Sequence, residues 1–117
     1  MLSLFGCGGT SSIPSEGVFV NKWGTKGTGA GQFEGAGGVA VAPDGSVYVV
    51  DRNNHRIQKF TSEGVFVGKW GTEAEGTGDG EFNEPLGVAV GPDGGVYVPD
   101  YKTNRVQAFK RVILNKA

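Results

Sequence analysis

One histidine and one cysteine are all this chain offers of the side chains most used as general base and soft nucleophile. His55 stands in the polar run Asp51-Arg-Asn-Asn-His-Arg56, and Cys7 stands far from it in an apolar N-terminal stretch. No H-E-x-x-H or G-x-S-x-G pattern surrounds either residue, so no nucleophile–base–orienter set can be assembled from local spacing. A lone cysteine also rules out an internal disulfide framework and any zinc cluster built on cysteines. Gly27-Thr-Gly-Ala-Gly31 and Gly76-Thr-Gly-Asp-Gly80 have the glycine content of a phosphate loop. Neither is followed by Gly-Lys-Ser/Thr or set between a strand and a helix, so both read as flexible crossings. No catalytic residue, metal or cofactor is expected.

The residues better suited to binding lie in two places. The stretch 71–85 carries Glu73, Glu75, Asp79, Glu81 and Glu84 with no basic residue, and it is longer than an ordinary connection. Its spacing matches no EF-hand, so a solvated acidic loop is expected, with a Ca²⁺ ion or a basic partner surface as the sharper alternatives. Arg52, His55 and Arg56, and then Tyr101, Lys102 and Arg105, flank two equivalent polar turns and would face one rim of the molecule. That rim is a candidate contact surface for a protein or peptide, although solvated turn residues and a hydrogen-bonding role for His55 explain the same pattern. With 11 basic against 12 acidic residues there is no cationic footprint of the kind a phosphate backbone requires, and nucleic acid is not an expected partner.

What must position these residues is legible because the chain says the same thing twice. Ser15-Glu-Gly-Val-Phe-Val-Asn-Lys-Trp-Gly-Thr25 returns as Ser62-Glu-Gly-Val-Phe-Val-Gly-Lys-Trp-Gly-Thr72, ten matches in eleven positions at an offset of 47. Gly38-Val-Ala-Val41, Pro43-Asp-Gly45 and Val47-Tyr-Val49 with Asp51 return at an offset of 49, the extra two residues being inserted in the second crossing. Within one unit the short β-branched runs 38–42, 46–50, 56–60 and 65–70 are separated by Pro-Asp-Gly and other polar turns. They read as four antiparallel strands in a meander, repeated over 87–90, 96–98 and 105–109. No apolar stripe at helical spacing exists, and Gly or Pro interrupts nearly every window. The chain is expected to be all-β. Strand 46–50 is apolar on both faces, so both faces must be covered. Tyr48, Tyr97, Phe60, Phe109, Trp23 and Trp70, one of each kind per repeat, are expected to fill the space between neighbouring units and not to form an aromatic cage.

Three stretches carry a specific likeness. Pro85-Leu-Gly-Val-Ala-Val90, Pro92-Asp-Gly94 with Val96-Tyr-Val98 and Asp100, and Asn104-Arg-Val-Gln-Ala-Phe109 resemble the NHL repeat, and copy one matches through 38–41, 47–51 and 54–60. The resemblance implies blades of a six-bladed β-propeller, a fold used mostly as an interaction platform, with a minority of related lyases and lactonases. Those related enzymes would place metal-binding carboxylates, amides or histidines at inner-strand ends, and the matching stretches 38–42 and 87–91 carry none. Copy one lacks the proline that copy two has at Pro85. Pro99, standing where copy one has Val50, is expected to stop or fray its strand.

The chain therefore divides into an N-terminal segment 1–15, a propeller region 16–110 and a tail 111–117. Blade one spans about 38–70, and blade two about 87–109 plus strand 17–23. Leu4-Phe-Gly-Cys7 with the Gly/Ser stretch behind it resembles a bacterial lipobox, which would place a lipid anchor at Cys7 and the protein at the cell envelope. Without a basic n-region or a full apolar run, the same segment reads as a plain N-terminus of a cytoplasmic protein. Two blades cannot close on themselves, so either further blades come from a longer reading frame or identical chains assemble, three making six blades. The expected function is a non-catalytic interaction module. The alternative is part of a propeller enzyme whose catalytic groups lie on other blades.

Overall fold

The computed structural model describes residues 16–110. The lipobox-like segment with Cys7 and the tail 111–117 lie outside the described residues, so neither expectation about them is addressed. Nine strands follow in order: β1 Thr25–Lys26, β2 Gln32–Phe33, β3 Ala36–Val41, β4 Val47–Asp51, β5 Arg56–Phe60, β6 Phe66–Gly71, β7 Ala89–Val90, β8 Val96–Asp100 and β9 Arg105–Phe109. A single turn of 3₁₀ helix, Arg52–Asn54, joins β4 to β5. No α-helix occurs among the described residues.

β3-β4-β5-β6 form one antiparallel four-stranded sheet and β7-β8-β9 a three-stranded one, as expected for two blades. The Pro-Asp-Gly sequences make the first hairpin of each blade. Gly45 donates to Ala42 O at 2.9 Å and Gly94 to Gly91 O at 2.9 Å. Both glycines have φ near +90°, the conformation that a side chain opposes and glycine accepts. β1 and β2 are a parallel pair inside the first crossing, a detail that the glycine-rich sequence did not signal.

The core lies between the two sheets. From blade one it takes Tyr48, Val50 and Ile57 with Trp70 packed against them, and from blade two Phe82, Val96 and Val98 with Phe109. Trp70 meets Phe109 at 5.6 Å and Tyr48 at 5.7 Å between ring centroids, so these three of the six recurring aromatics fill the space between the blades, whereas Tyr97, Phe60 and Trp23 lie outside that seam. The inner strands approach so closely that Gly38 N–H donates to Leu86 O at 3.0 Å. A Cβ on Gly38 would stand 3.0 Å from Gly87 Cα and 3.2 Å from Leu86 O, so the facing backbone would have to give way to admit a side chain.

One expectation needs correction. Pro99 does not end its strand: β8 runs through it to Asp100 and stays in register with β9. The Pro99 carbonyl accepts from Leu86 N–H, so the absent Pro99 N–H lies on that same side, where the inner strand is open, and the β8–β9 ladder loses no donor. Segment 17–23, expected as a strand of blade two, forms no strand in the single chain. It lies along blade one, where Asn21 Nδ2 donates to Glu63 O at 2.9 Å and Trp23 stacks on Phe60 at 5.8 Å. Blade two covers the opposite flank of blade one, so the segment cannot reach β9 of its own chain.

A candidate interaction rim

Strand direction brings every candidate binding residue to one end of the blades. β4 and β6 end there, β5 and β9 begin there, and the crossings leave from the same edge. Arg52, His55, Arg56, Tyr101, Lys102 and Arg105 on the turns therefore share a rim with Glu73, Glu75 and Asp79 on the long crossing. What the side chains do at that rim falls into two groups.

The first group holds the backbone. Arg56 is fully buried, and this corrects its assignment as a surface contact. Its Nε donates to Asp51 Oδ2 at 2.7 Å, and its terminal nitrogens donate to the carbonyls of Thr28, Gly29 and Gln32 and to Glu73 Oε2. Asp51, also fully buried, further accepts from Asn54 Nδ2, Gln58 Nε2 and Glu34 N–H. Gln58 completes the set, accepting from Gly31 N–H and donating to Gln32 O. The crossing 27–34 is thereby stapled to the blade it enters, and its exposed-looking backbone is satisfied by one buried ion pair and its neighbours.

Blade two repeats the device at the same offset. Asp100 accepts from Asn83 N–H, Gln107 bridges Gly80 N–H and Glu81 O, and Arg105 donates to the carbonyls of Gly78 and Glu81. Arg105 is looser than Arg56: its Nε sits 4.0 Å from Asp100 and has no hydrogen-bond partner among the described residues. Asp51, Asn54, Gln58, Asp100 and Gln107 were not singled out from the sequence. The signal available was the return of Asp, Arg and Gln at identical positions in both copies.

The second group faces water. Arg52, Tyr101 and Lys102 are exposed, and Glu84 lies between the two cations, 3.1 Å from Arg52 and 3.6 Å from Lys102. The Arg52 hydrogen bond, foremost, holds the Glu84 carboxyl below its ordinary pKa, with Lys102 and Arg52 charges adding to it against a desolvation effect of opposite sign. His55, in the left-handed region at φ 51°, accepts from Glu84 N–H through Nδ1 at 3.0 Å, so the expected turn hydrogen bond reaches across to the other blade. Glu73 is likewise held below its ordinary pKa, first by its hydrogen bond to Lys69 and also by Arg56. The acidic crossing is thus partly neutralised by the chain itself, leaving Glu75 and Asp79 as exposed carboxylates. Among the described residues no three histidines, cysteines or carboxylates gather as a metal-binding set.

No curated protein matches the chain. A family model of the NHL repeat matches residues 33–60 and 82–109, the spans that run from Phe33 to the end of β5 and from Phe82 to the end of β9. Each matched span contains one complete stapling set, Asp51-Arg56-Gln58 or Asp100-Arg105-Gln107, together with three blade strands. The chain is therefore an all-β protein that carries two NHL repeats.

Proposed function

We propose that this chain is a non-catalytic interaction module that binds a protein or peptide through the rim bearing Arg52, Tyr101 and Lys102. One observation carries the proposal. At the rim, the residues that recur between repeats are the buried or half-buried ones, Asp51/Asp100, Arg56/Arg105 and Gln58/Gln107. Of the residues that differ, Arg52/Tyr101 and Asn53/Lys102 are the pairs exposed in both copies, whereas the differing Asn54 and Thr103 are buried or half-buried and serve the scaffold by donating to Asp51 and Asp100. Scaffold chemistry is spent mainly on recurring positions, and the surface left over is specific to each blade. Arg and Tyr are the side chains that most often anchor protein interfaces, offering wide contact area with polar tips. With the exposed Glu75 and Asp79 nearby, the rim presents both signs of charge, which suits a mixed-charge peptide better than a polyanion.

Panning a random peptide library against the purified chain tests this. Selected peptides should lose at least tenfold in affinity on Tyr101→Ala or Lys102→Ala and stay within twofold on Lys59→Ala, which lies away from this rim. Peptides equally sensitive to Lys59, or the absence of any enriched sequence, would overturn the proposal.

A further inference from the structure

We infer that residues 17–24 of a second copy of this chain form the fourth strand of blade two, pairing with β9, so that copies join head to tail. Among the described residues β9 has β8 on one side and nothing on the other, whereas its counterpart β5 is flanked by both β4 and β6. The strand that covers β5 runs through 66–71, and its sequence is the one that recurs at 15–25. The β5–β6 register pairs Arg56 with Gly71, Ile57 with Trp70, Gln58 with Lys69 and Lys59 with Gly68. Carried over by the two offsets, it pairs Arg105 with Gly24, Val106 with Trp23, Gln107 with Lys22 and Ala108 with Asn21.

The flanks agree with the strand. Four apolar residues in the seam between blades have a repeat-mate on a free face. Val88 and Val90 pack in the seam, whereas their mates Val39 and Val41 are 61% and 65% exposed. Ile57 and Tyr48 are buried in it, whereas Val106 and Tyr97 are 67% and 44% exposed. Blade one thus presents the face that blade two uses inside the chain, and blade two presents the face that blade one uses. A second copy repeats the internal seam with the same chemistry.

Trp23 is already in place for this. It rests on Phe60 at 5.8 Å as Trp70 rests on Phe109 at 5.6 Å, so segment 17–24 occupies the position of the outer strand of a preceding blade. Beside it lies an open groove of about 330 Å³ between Trp23, Phe33, Val39 and Val49. Val18, Phe19 and Val20 next to it are exposed by 75–88%, an apolar run with nothing on its outer side among the described residues. Such a contact is heterologous, and it ends in a closed ring where the rotation per copy allows, three copies for six blades. One position is imperfect: the incoming chain brings Lys26 to the place where Glu73 meets Arg56, so Lys26 would face Arg105 and its unpartnered Nε.

Sedimentation and cross-linking of the whole chain test the inference. In a Cys7→Ser background, Asn21→Cys and Ala108→Cys variants mixed and mildly oxidised should give an Asn21–Ala108 heterodimer, whereas Asn21→Cys mixed with Lys102→Cys should not. The unmodified chain should sediment as a discrete multiple of 12.2 kDa. Val106→Glu and Val39→Glu, each at an exposed site of the single chain, should each shift it to monomer. Lys26→Glu should lower the dissociation constant severalfold by giving Arg105 the carboxylate that Arg56 has. A folded monomer at all concentrations, oxidation that links the Lys102 control as readily, or irregular aggregates without the cross-link would overturn the inference. Should the glutamate variants fail to fold, the cross-link and the Lys26→Glu shift still decide it.

Discussion

At the residue scale, the buried Arg56–Asp51 pair shows why a polar group prominent in the sequence is not a binding group. Both side chains are fully shielded, and every strong donor of the guanidinium ends on an oxygen. Removing one partner leaves an uncompensated buried charge. Asp51→Ala should destabilise the fold by about 3–5 kcal/mol, read as a lower urea midpoint, while the exposed Asn53→Ala should change it by less than about 0.5 kcal/mol. The half-buried Glu84 makes a different prediction. Its carboxyl is held below the ordinary value by Arg52 and Lys102, so it binds protons more weakly folded than unfolded. The stability that it contributes is complete above the ordinary glutamate pKa and is lost as pH falls through the lowered folded value. Melting temperatures of the native chain and Glu84→Gln should therefore differ at neutral pH and converge in acid. A difference that persists in acid would assign the effect to the Glu84 backbone position and not to its charge.

At the element scale, blade one and blade two show how one sequence pattern tolerates different strand lengths. The inner strand of blade one pairs over Ala36–Val41, whereas that of blade two pairs only at Ala89–Val90, with an isolated bridge from Pro85 to Asp100. Ala36, which pairs with Asp51, stands where Pro85 does, so the position of the pairing is kept and only its continuity is lost. The inner strands are held together by contact between backbones. Gly38→Ala would drive a Cβ against Gly87 Cα and Leu86 O, neither of which can rotate away. It should cost about 1–3 kcal/mol in a thermal or urea melt. Pro99→Val should be neutral or mildly stabilising, because the ladder to β9 never used a donor at that position. A loss of more than 1 kcal/mol there would mean that the proline ring itself is packed or braces the turn that follows.

At the scale of the whole molecule, the chain buries one seam and leaves the two faces of an identical seam open. A repeat unit of this kind is stabilised mainly by its neighbour, so one internal interface must carry two blades. Val39, Val41 and Val18–Val20 at one open face and Val106 at the other leave large apolar side chains exposed on both flanks. If copies cover these faces, the melting temperature should rise with protein concentration by mass action, and Val106→Glu should abolish that dependence. A melting temperature constant over a hundredfold range of concentration would show that the open faces are not used in this way.

The doubled sequence alone determined the all-β class, the four-strand meander, the two NHL repeats and the aromatic filling of the seam, because each follows from local periodicity, turn chemistry and repetition. It also placed Arg52, His55, Tyr101 and Lys102 at one rim, since strand parity sets which turns share an edge. Only the tertiary structure decided that Arg56 is buried while Arg52, four residues earlier, is exposed. That difference depends on where the crossing 27–34 folds back, which is a long-range matter no local pattern records. Tertiary structure likewise seated segment 17–24 on blade one and not on blade two, because a strand can pair only with an edge within its reach. For this chain, the edge that the segment matches lies across two blades.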